Sequence, residues 1–398
     1  MHLKKLSLLV LSSLLGVTTA ATGQTATGTE QHVKLPDIPG YETLKCDFHL
    51  HTVFSDGHVW PSFRVHEARR DGLDAISITE HIDYEGYPEE IKKDYSRSYK
   101  IASEAASNSN VIIIQGAEIS PRTVPYHHNA IFVKDPNKLP SDYMKDGKKK
   151  FVMRDNPTEK QLLAPFKEAK RQGAFIFYNH PSYRWWDKEK HGLDLFSDLH
   201  VKMLEQGLLD GVEVVNSGVY NLEAHRMAEK YNLTMFANSD EHHDISHTYR
   251  NSHRPMTLVF ASERSEAGIE QALKDRRTAV YFGDYLVGRK QEMDALFKAS
   301  LEVMAEKKTR SGGEPVILLH IRNISGIPYA VTCSSDFDFE NLPLNRITLK
   351  PYETTTLTLK TLWQEPHEVS LRFDVGNILV SPEKGLQTEL RVRVPEES

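Results

Sequence analysis

The sequence predicts an α/β domain built on a parallel sheet, followed by a small antiparallel β-sandwich. Two observations carry this. Seven short apolar runs alternate with segments whose apolar residues recur at three- and four-residue spacing, and beyond residue 312 the pattern changes to short alternating runs broken by Pro, Gly, Asn and Asp. The seven runs are Leu44–His51, Ala75–Glu80, Val111–Ile119, Asn129–Val133, Ala174–Asn179, Gly211–Asn216 and Thr234–Asn238. Helical spacing lies between them at Phe63–Arg70, Ile101–Ala106, Leu162–Arg171 and Leu222–Tyr231. Near-continuous apolar strands between amphipathic helices imply a parallel sheet covered on both faces. A closed barrel and an open doubly wound sheet both satisfy that pattern.

Ahead of the first strand, Met1–Lys5 carries two lysines, Leu6–Val17 is a short apolar run, and small residues follow around Ala20 and Ala21. This is the layout of a cleaved signal peptide, residues 1–21. A bilayer-spanning helix needs roughly 20 apolar residues. No stable membrane anchor is therefore expected, and the mature protein is expected in the periplasm or outside the cell. The lysine-rich stretch Met144–Arg154 has no hydrophobic period and reads as an exposed insertion. A charge-rich, helix-like segment runs from about Gly288 to Lys308, and Ser311-Gly312-Gly313 marks a break. The first domain is accordingly placed at 33–308. The sandwich, at 312–396, is assigned strands at Pro315–Ile324, Ala330–Ser334, Arg346–Leu349, Thr354–Leu359, Val369–Phe373 and Glu389–Val394.

With 49 Lys and Arg against 55 Asp and Glu, the net charge of −6 offers no general attraction to nucleic acid or to an anionic membrane. Any anionic substrate has to be attracted locally. Cys46 and Cys333 are too few and too far apart for a disulfide framework or a thiolate zinc site, and both read as buried apolar residues.

Ligand-capable residues recur at one end of nearly every apolar run. The first carries Asp47-Phe-His49-Leu-His51 followed by Asp56, and strand alternation turns His49 and His51 the same way. The second run ends in Thr79-Glu80-His81 and the third in Gly116-Ala117-Glu118, while the fourth opens with His127-His128-Asn129. The fifth ends in Asn179-His180-Pro181, the sixth in Glu213-Val-Val-Asn216 and the seventh in Asn238-Ser239-Asp240-Glu241-His242. In a parallel α/β fold such ends share one face, where active sites are built. Imidazole and carboxylate without thiolate suit Zn, Mn or Fe. Arg122 and Arg184, close after Glu118 and His180, are candidate bidentate donors to a phosphoryl oxygen. Trp185 and Trp186 are candidates for a pocket wall, and Asn216 for a donor to substrate or to bound water.

These motifs, taken in order from Lys45 to His243, resemble the PHP (polymerase and histidinol phosphatase) family of metal-dependent phosphoesterases. The resemblance implies a distorted seven-stranded (β/α) barrel holding two or three divalent ions. One ion would be held by His49, His51, Glu118 and Asp240, a second by Glu118, His127 and His180, and a third by Asp56, His81 and His242, with Glu118 bridging. His127 is preferred over His128 because His-x-Asn-Ala is the commoner family spacing. Glu80 replaces the usual Asp and is expected to support its neighbour His81. A metal-borne hydroxide then serves as nucleophile, and no protein nucleophile is expected. The layout of signal, barrel and β domain resembles a secreted bacterial phosphodiesterase branch. The expected partner is therefore a small organic phosphate diester. Phosphomonoester hydrolysis, hydrolysis of non-phosphate esters, and an inert metal-holding envelope or glycan-binding protein are the alternatives. Nothing in the sequence specifies an oligomeric state.

Overall fold

The computed structural model describes residues 33–92, 94–145, 152–181 and 196–396. The expected signal segment, residues 146–151 of the lysine-rich insertion, and Arg184, Trp185 and Trp186 lie outside the described residues. Each of the seven anticipated runs forms a strand: β1 Glu42–Asp47, β2 Ala75–Ile78, β3 Ile112–Ile119, β4 His128–Ile131, β5 Phe175–Tyr178, β6 Gly211–Asn216 and, after the short β7 Val219–Tyr220, β8 Thr234–Asn238. All residues of β2 (AISI) and β5 (FIFY) are buried, as expected of strands covered on both faces. Helices pack over them at Pro61–Arg70, Tyr95–Ala106, Glu159–Arg171 and Leu222–Lys230. A Thr158–Gln161 capping box starts the third of these.

The sheet is not wholly parallel. β1, β2 and β3 are parallel neighbours, as are β5, β6 and β8, but β4 runs antiparallel to both β3 and β5. Residues 120–127 are too few for a parallel crossover, which takes a dozen or more. The reversal explains why the fourth run carries its histidines at its start: the beginning of β4 lies on the face where the parallel strands end. Three strands not anticipated follow, β9 Met256–Ala261, β10 Thr278–Phe282 and β11 Tyr285–Gly288, antiparallel to one another in sequence order, with β9 also antiparallel to β1. Between β8 and β9–β10, threonine hydroxyls carry hydrogen bonds. Thr257 Oγ1 accepts from Ala237 N and donates to Ala237 O, and Thr278 Oγ1 donates to Met235 O.

The helix-like reading of Gly288–Lys308 needs correction. The helix covers only Lys290–Ala299, and Leu301–Thr309 is a strand, β12, paired along its whole length with β13 Pro315–Asn323. Its alternation of buried and exposed residues is the signal that its lysines masked. The remaining strands are β14 Tyr329–Ser335, β15 Asp338–Phe339, β16 Arg346–Leu349, β17 Thr354–Lys360, β18 Glu368–Ser381 and β19 Lys384–Arg393. β12, β13, β17 and β15 form one sheet, and β16, β14, β18 and β19 the other. The second sheet does not stop at the domain border, because β18 pairs in parallel with β11 through Leu286–Ile378 and Val287–Leu379. Phe297, on the connecting helix, sits edge-on to Tyr329 and Phe373 at 5.1 and 5.4 Å, which fuses the two cores.

The lysine-rich insertion is anchored at its base, where Met144 is buried and bridges to Met153. Cys46 and Cys333 are both buried and unpaired with each other. Among the described residues no helix is long and apolar enough to cross a membrane.

Candidate metal centre

His49 and His51 follow β1 directly, have no exposed surface, and bring their Nε2 atoms within 3.1 Å of each other. Glu118, at the end of β3, and Asp240, just after β8, complete a tight group. His49 Nε2 is 3.2 Å from Asp240 Oδ1 and 3.6 Å from Glu118 Oε2, and His51 Nε2 is 3.3 Å from each. Four donors around an ion at about 2.0–2.2 Å stand about 3.3–3.6 Å apart, and His49, His51 and Asp240, with separations of 3.1, 3.2 and 3.3 Å, come close to that spacing.

Asp56 gathers a second group. Its Oδ1 lies 3.3 Å from His242 Nε2 and 3.6 Å from His51 Nδ1, and its Oδ2 lies 3.4 Å from His81 Nε2. The loop bearing it doubles back tightly. A Cβ on Gly57 would meet His51 C and Thr52 N at 2.7 Å, so only glycine fits. Glu80 holds this loop by accepting from the Thr52 hydroxyl and from Ser55 Oγ at 2.5 Å. Glu80 was expected to support His81; its bonds go to the loop that bears Asp56. Instead His81 Nδ1 meets Ser120 Oγ at 2.7 Å, and Ser120 donates to Asp83, which also accepts from Tyr143.

Glu118 faces two ways. Oε2 points at His49, His51 and, at 3.0 Å, His81 Nδ1, while Oε1 meets His127 Nδ1 at 3.0 Å and His180 Nε2 at 3.9 Å and accepts from Asn179 Nδ2. Although Glu118 is fully buried, its Oε2 has no hydrogen-bond partner. A buried carboxylate oxygen left so, ringed by imidazoles, fits a cation. The donor atoms fall into overlapping groups: His51, Asp56, His81 and His242; His49, Glu118 and His180; His49, His51 and Asp240; and His81, Glu118 and His127. Every histidine and carboxylate nominated from sequence is thus brought into one cluster. His180 and Asp240 adopt positive φ, 27° and 54°, and Tyr126, just before His127, adopts 64°. Such backbone persists where surroundings enforce it, and it clusters at functional sites.

His128 turns the other way. It stacks on Tyr178 at 4.8 Å, meets Phe166 edge-on and has no exposed surface. Asn216 is placed differently from expectation: its amide donates to Glu213 Oε2 at 2.8 Å and Asp240 Oδ2 at 3.3 Å, so it steadies two carboxylates instead of reaching toward a substrate. Arg122 is exposed, and its backbone N–H meets Met153 Sδ. Glu213 was missed. It is buried, accepts from Asn238 Nδ2 and from His180 N, and lies 2.9 Å from His49 Nδ1, the carboxylate–imidazole pairing that fixes a ligand's tautomer. A lone Glu inside the apolar run Gly211–Val215 marks the position, but its partners are visible only in the fold.

Electrostatics agree with a centre built for cations. Burial pulls the His49 imidazole down, but Asp240, Glu213 and Glu118 together outweigh it and hold it well above its usual range. Burial and then His242 push His51 down to about 3. Burial raises the Glu118 and Asp240 carboxyls, yet the surrounding histidines leave both well below the ordinary range. The carboxylates therefore stay ionised, and the cluster favours positive charge beside them.

The comparisons with known proteins follow the same lines. The PHP domain family matches residues 47–242, and an Ig-like domain family, DUF5001, matches residues 301–391. A crystal structure from Bacteroides vulgatus, of a two-domain protein containing a predicted PHP-like metal-dependent phosphoesterase, is 36% identical. The match covers 90% of this chain and 98% of that one with a TM-score of 0.76. An uncharacterized protein of Methanocaldococcus jannaschii is 38% identical over 87 residues, 21% of this chain and 38% of that protein's length.

Proposed function

The chain belongs to the PHP family, and from that premise we propose that it is an exported, metal-dependent phosphodiesterase. The observation that carries the reading is Glu118, a buried carboxylate whose two oxygens face different imidazoles. We assign His49, His51, Asp240 and Glu118 to one ion, Glu118, His127 and His180 to a second, and Asp56, His81 and His242 to a third, and we read β1–β6 with β8 as the family's distorted barrel. Zn, Mn or Fe held there supplies charge that polarises a phosphoryl oxygen and lowers the pKa of water toward neutrality.

The chain's own residues do the rest. Glu213 holds His49 through Nδ1, and Asn216 aligns Glu213 with Asp240. The hydroxyls of Ser55, Ser120 and Ser239 donate to the buried carboxylates Glu80, Asp83 and Asp47, which supports hydrolysis without a protein nucleophile. His127, Asp56 and His242 keep some exposure while His49 and His51 have none, so substrate approaches from their side. Arg122 is proposed to meet the phosphoryl group, with Arg184, outside the described residues, as the second candidate donor. The preference for a diester rests on the layout of export segment, barrel and Ig-like domain; the relative of B. vulgatus shares both folded parts. Bis(p-nitrophenyl) phosphate and p-nitrophenyl phosphate, each tested with Mn and with Zn, decide it. Turnover of the diester at least tenfold above the monoester is expected, and the reverse preference would make the protein a monoesterase.

A further inference from the structure

We infer that Arg64 is a positioning residue for this centre, a role that rests on the metal-binding reading above. Arg64 lies on the helix Pro61–Arg70, where the sequence suggests a surface side chain, yet it has no exposed surface. Its guanidinium is spent on the two loops that carry the proposed ligands. Nε donates to His51 O at 2.9 Å, Nη2 to Glu241 O at 2.8 Å and Nη1 to His243 O at 2.7 Å. The first carbonyl belongs to a nominated ligand, and the other two flank His242 on either side. Nη1 also donates to Glu67 Oε2 at 2.7 Å, which balances the buried charge, and Glu67 Oε1 accepts from Ile245 N at 2.7 Å.

One planar fork therefore ties the end of β1 to the loop after β8, with Glu67 extending the clamp one step further. Direct backbone bonds between these loops are few: His51 N to Glu241 O, Asp240 N to His49 O and His58 N to His242 O. The positions of His51, Asp240 and His242 relative to one another depend on the clamp. A lysine keeps the charge but is a point donor, and it does not span three carbonyls as the fork does.

The test compares Arg64→Lys, Arg64→Gln and Glu67→Gln with Val65→Ala, a buried change on the same helix that removes packing but no hydrogen bond to either loop. Zinc affinity is read by competition with a chromophoric chelator, and ligand geometry by the visible absorption of the Co(II)-loaded protein. Altered partners of ligands cost about ten- to a hundredfold in affinity. That loss and a changed Co(II) spectrum are expected in the Arg64 variants, with wild-type values in Val65→Ala at matched loss of Tm. If Arg64→Gln fails to fold, Arg64→Lys and Glu67→Gln carry the comparison. Wild-type affinity and spectrum in variants that only melt earlier would make Arg64 purely structural and overturn the inference. A wild-type protein that binds neither zinc nor cobalt would instead refute the metal reading itself.

Discussion

Replacing Glu118 by Gln changes one atom type and leaves the size of the side chain intact, so its effect isolates charge. The carboxylate is fully buried and within 3.9 Å of five imidazoles, in the middle of the cluster. A unit charge about 4 Å from another contributes about 4 kcal/mol at an effective dielectric constant of about 20. The ions are divalent, so losing it should cost each neighbouring ion at least that much, and since tenfold is about 1.4 kcal/mol, the loss is about a thousandfold or more in affinity. The Gln oxygen can still accept from Asn179 Nδ2, so the fold should survive. Elemental analysis after dialysis should find at least one ion fewer per chain than in the wild type. Diesterase turnover should fall by about a thousandfold or more, because a lost ion removes transition-state charge stabilisation. Normal metal content with normal turnover in Glu118→Gln would refute the bridging role.

Three further outcomes are expected. His127→Ala should release an ion, whereas His128→Phe, placed in an aromatic stack with Tyr178 and Phe166, should leave metal content unchanged and move stability by only about 1 kcal/mol; equal metal loss in both variants would contradict this. A chain ending at Lys308 should fail to show a cooperative melt, because it lacks β18, which pairs with β11, and Phe373, which packs on Phe297; a folded, fully metallated truncation would make the β domain dispensable. Burial holds the His200 imidazole down at about 4, and its Nδ1 accepts from Ser197 N. The unfolded chain, with a pKa near 6.5, binds the proton first as pH falls, so stability is present above about 6.5 and lost progressively toward 4, by on the order of 3 kcal/mol. Urea melts of the metal-free protein should show this slope, and a slope unchanged in His200→Gln would assign it elsewhere.

Much of the fold was legible because its strands are short, apolar and bounded by turns, and the candidate ligands stand at their ends. What the sequence hid has physical causes. The reversal of β4 depends on the length of residues 120–127, which local periodicity does not report. β12 was masked because its outward positions are Glu and Lys, which read as a charged helix. Arg64 looks like an ordinary charged residue until long-range contacts bury it, and the partner of Glu213, His49, is far away in sequence. Asn216 lies on the expected face, but its bonds to Glu213 and Asp240 depend on side-chain directions that strand alternation leaves open.

The central claim is that one cluster of six histidines and three carboxylates, drawn from the ends of separate strands, holds several divalent ions. The most direct measurement is the metal content of the purified wild-type chain after loading with Zn or Mn and removal of the excess. Two to three tightly held ions per chain are predicted, lost on chelation and regained on reloading; a folded protein that retains less than one ion per chain under every loading condition would contradict the account.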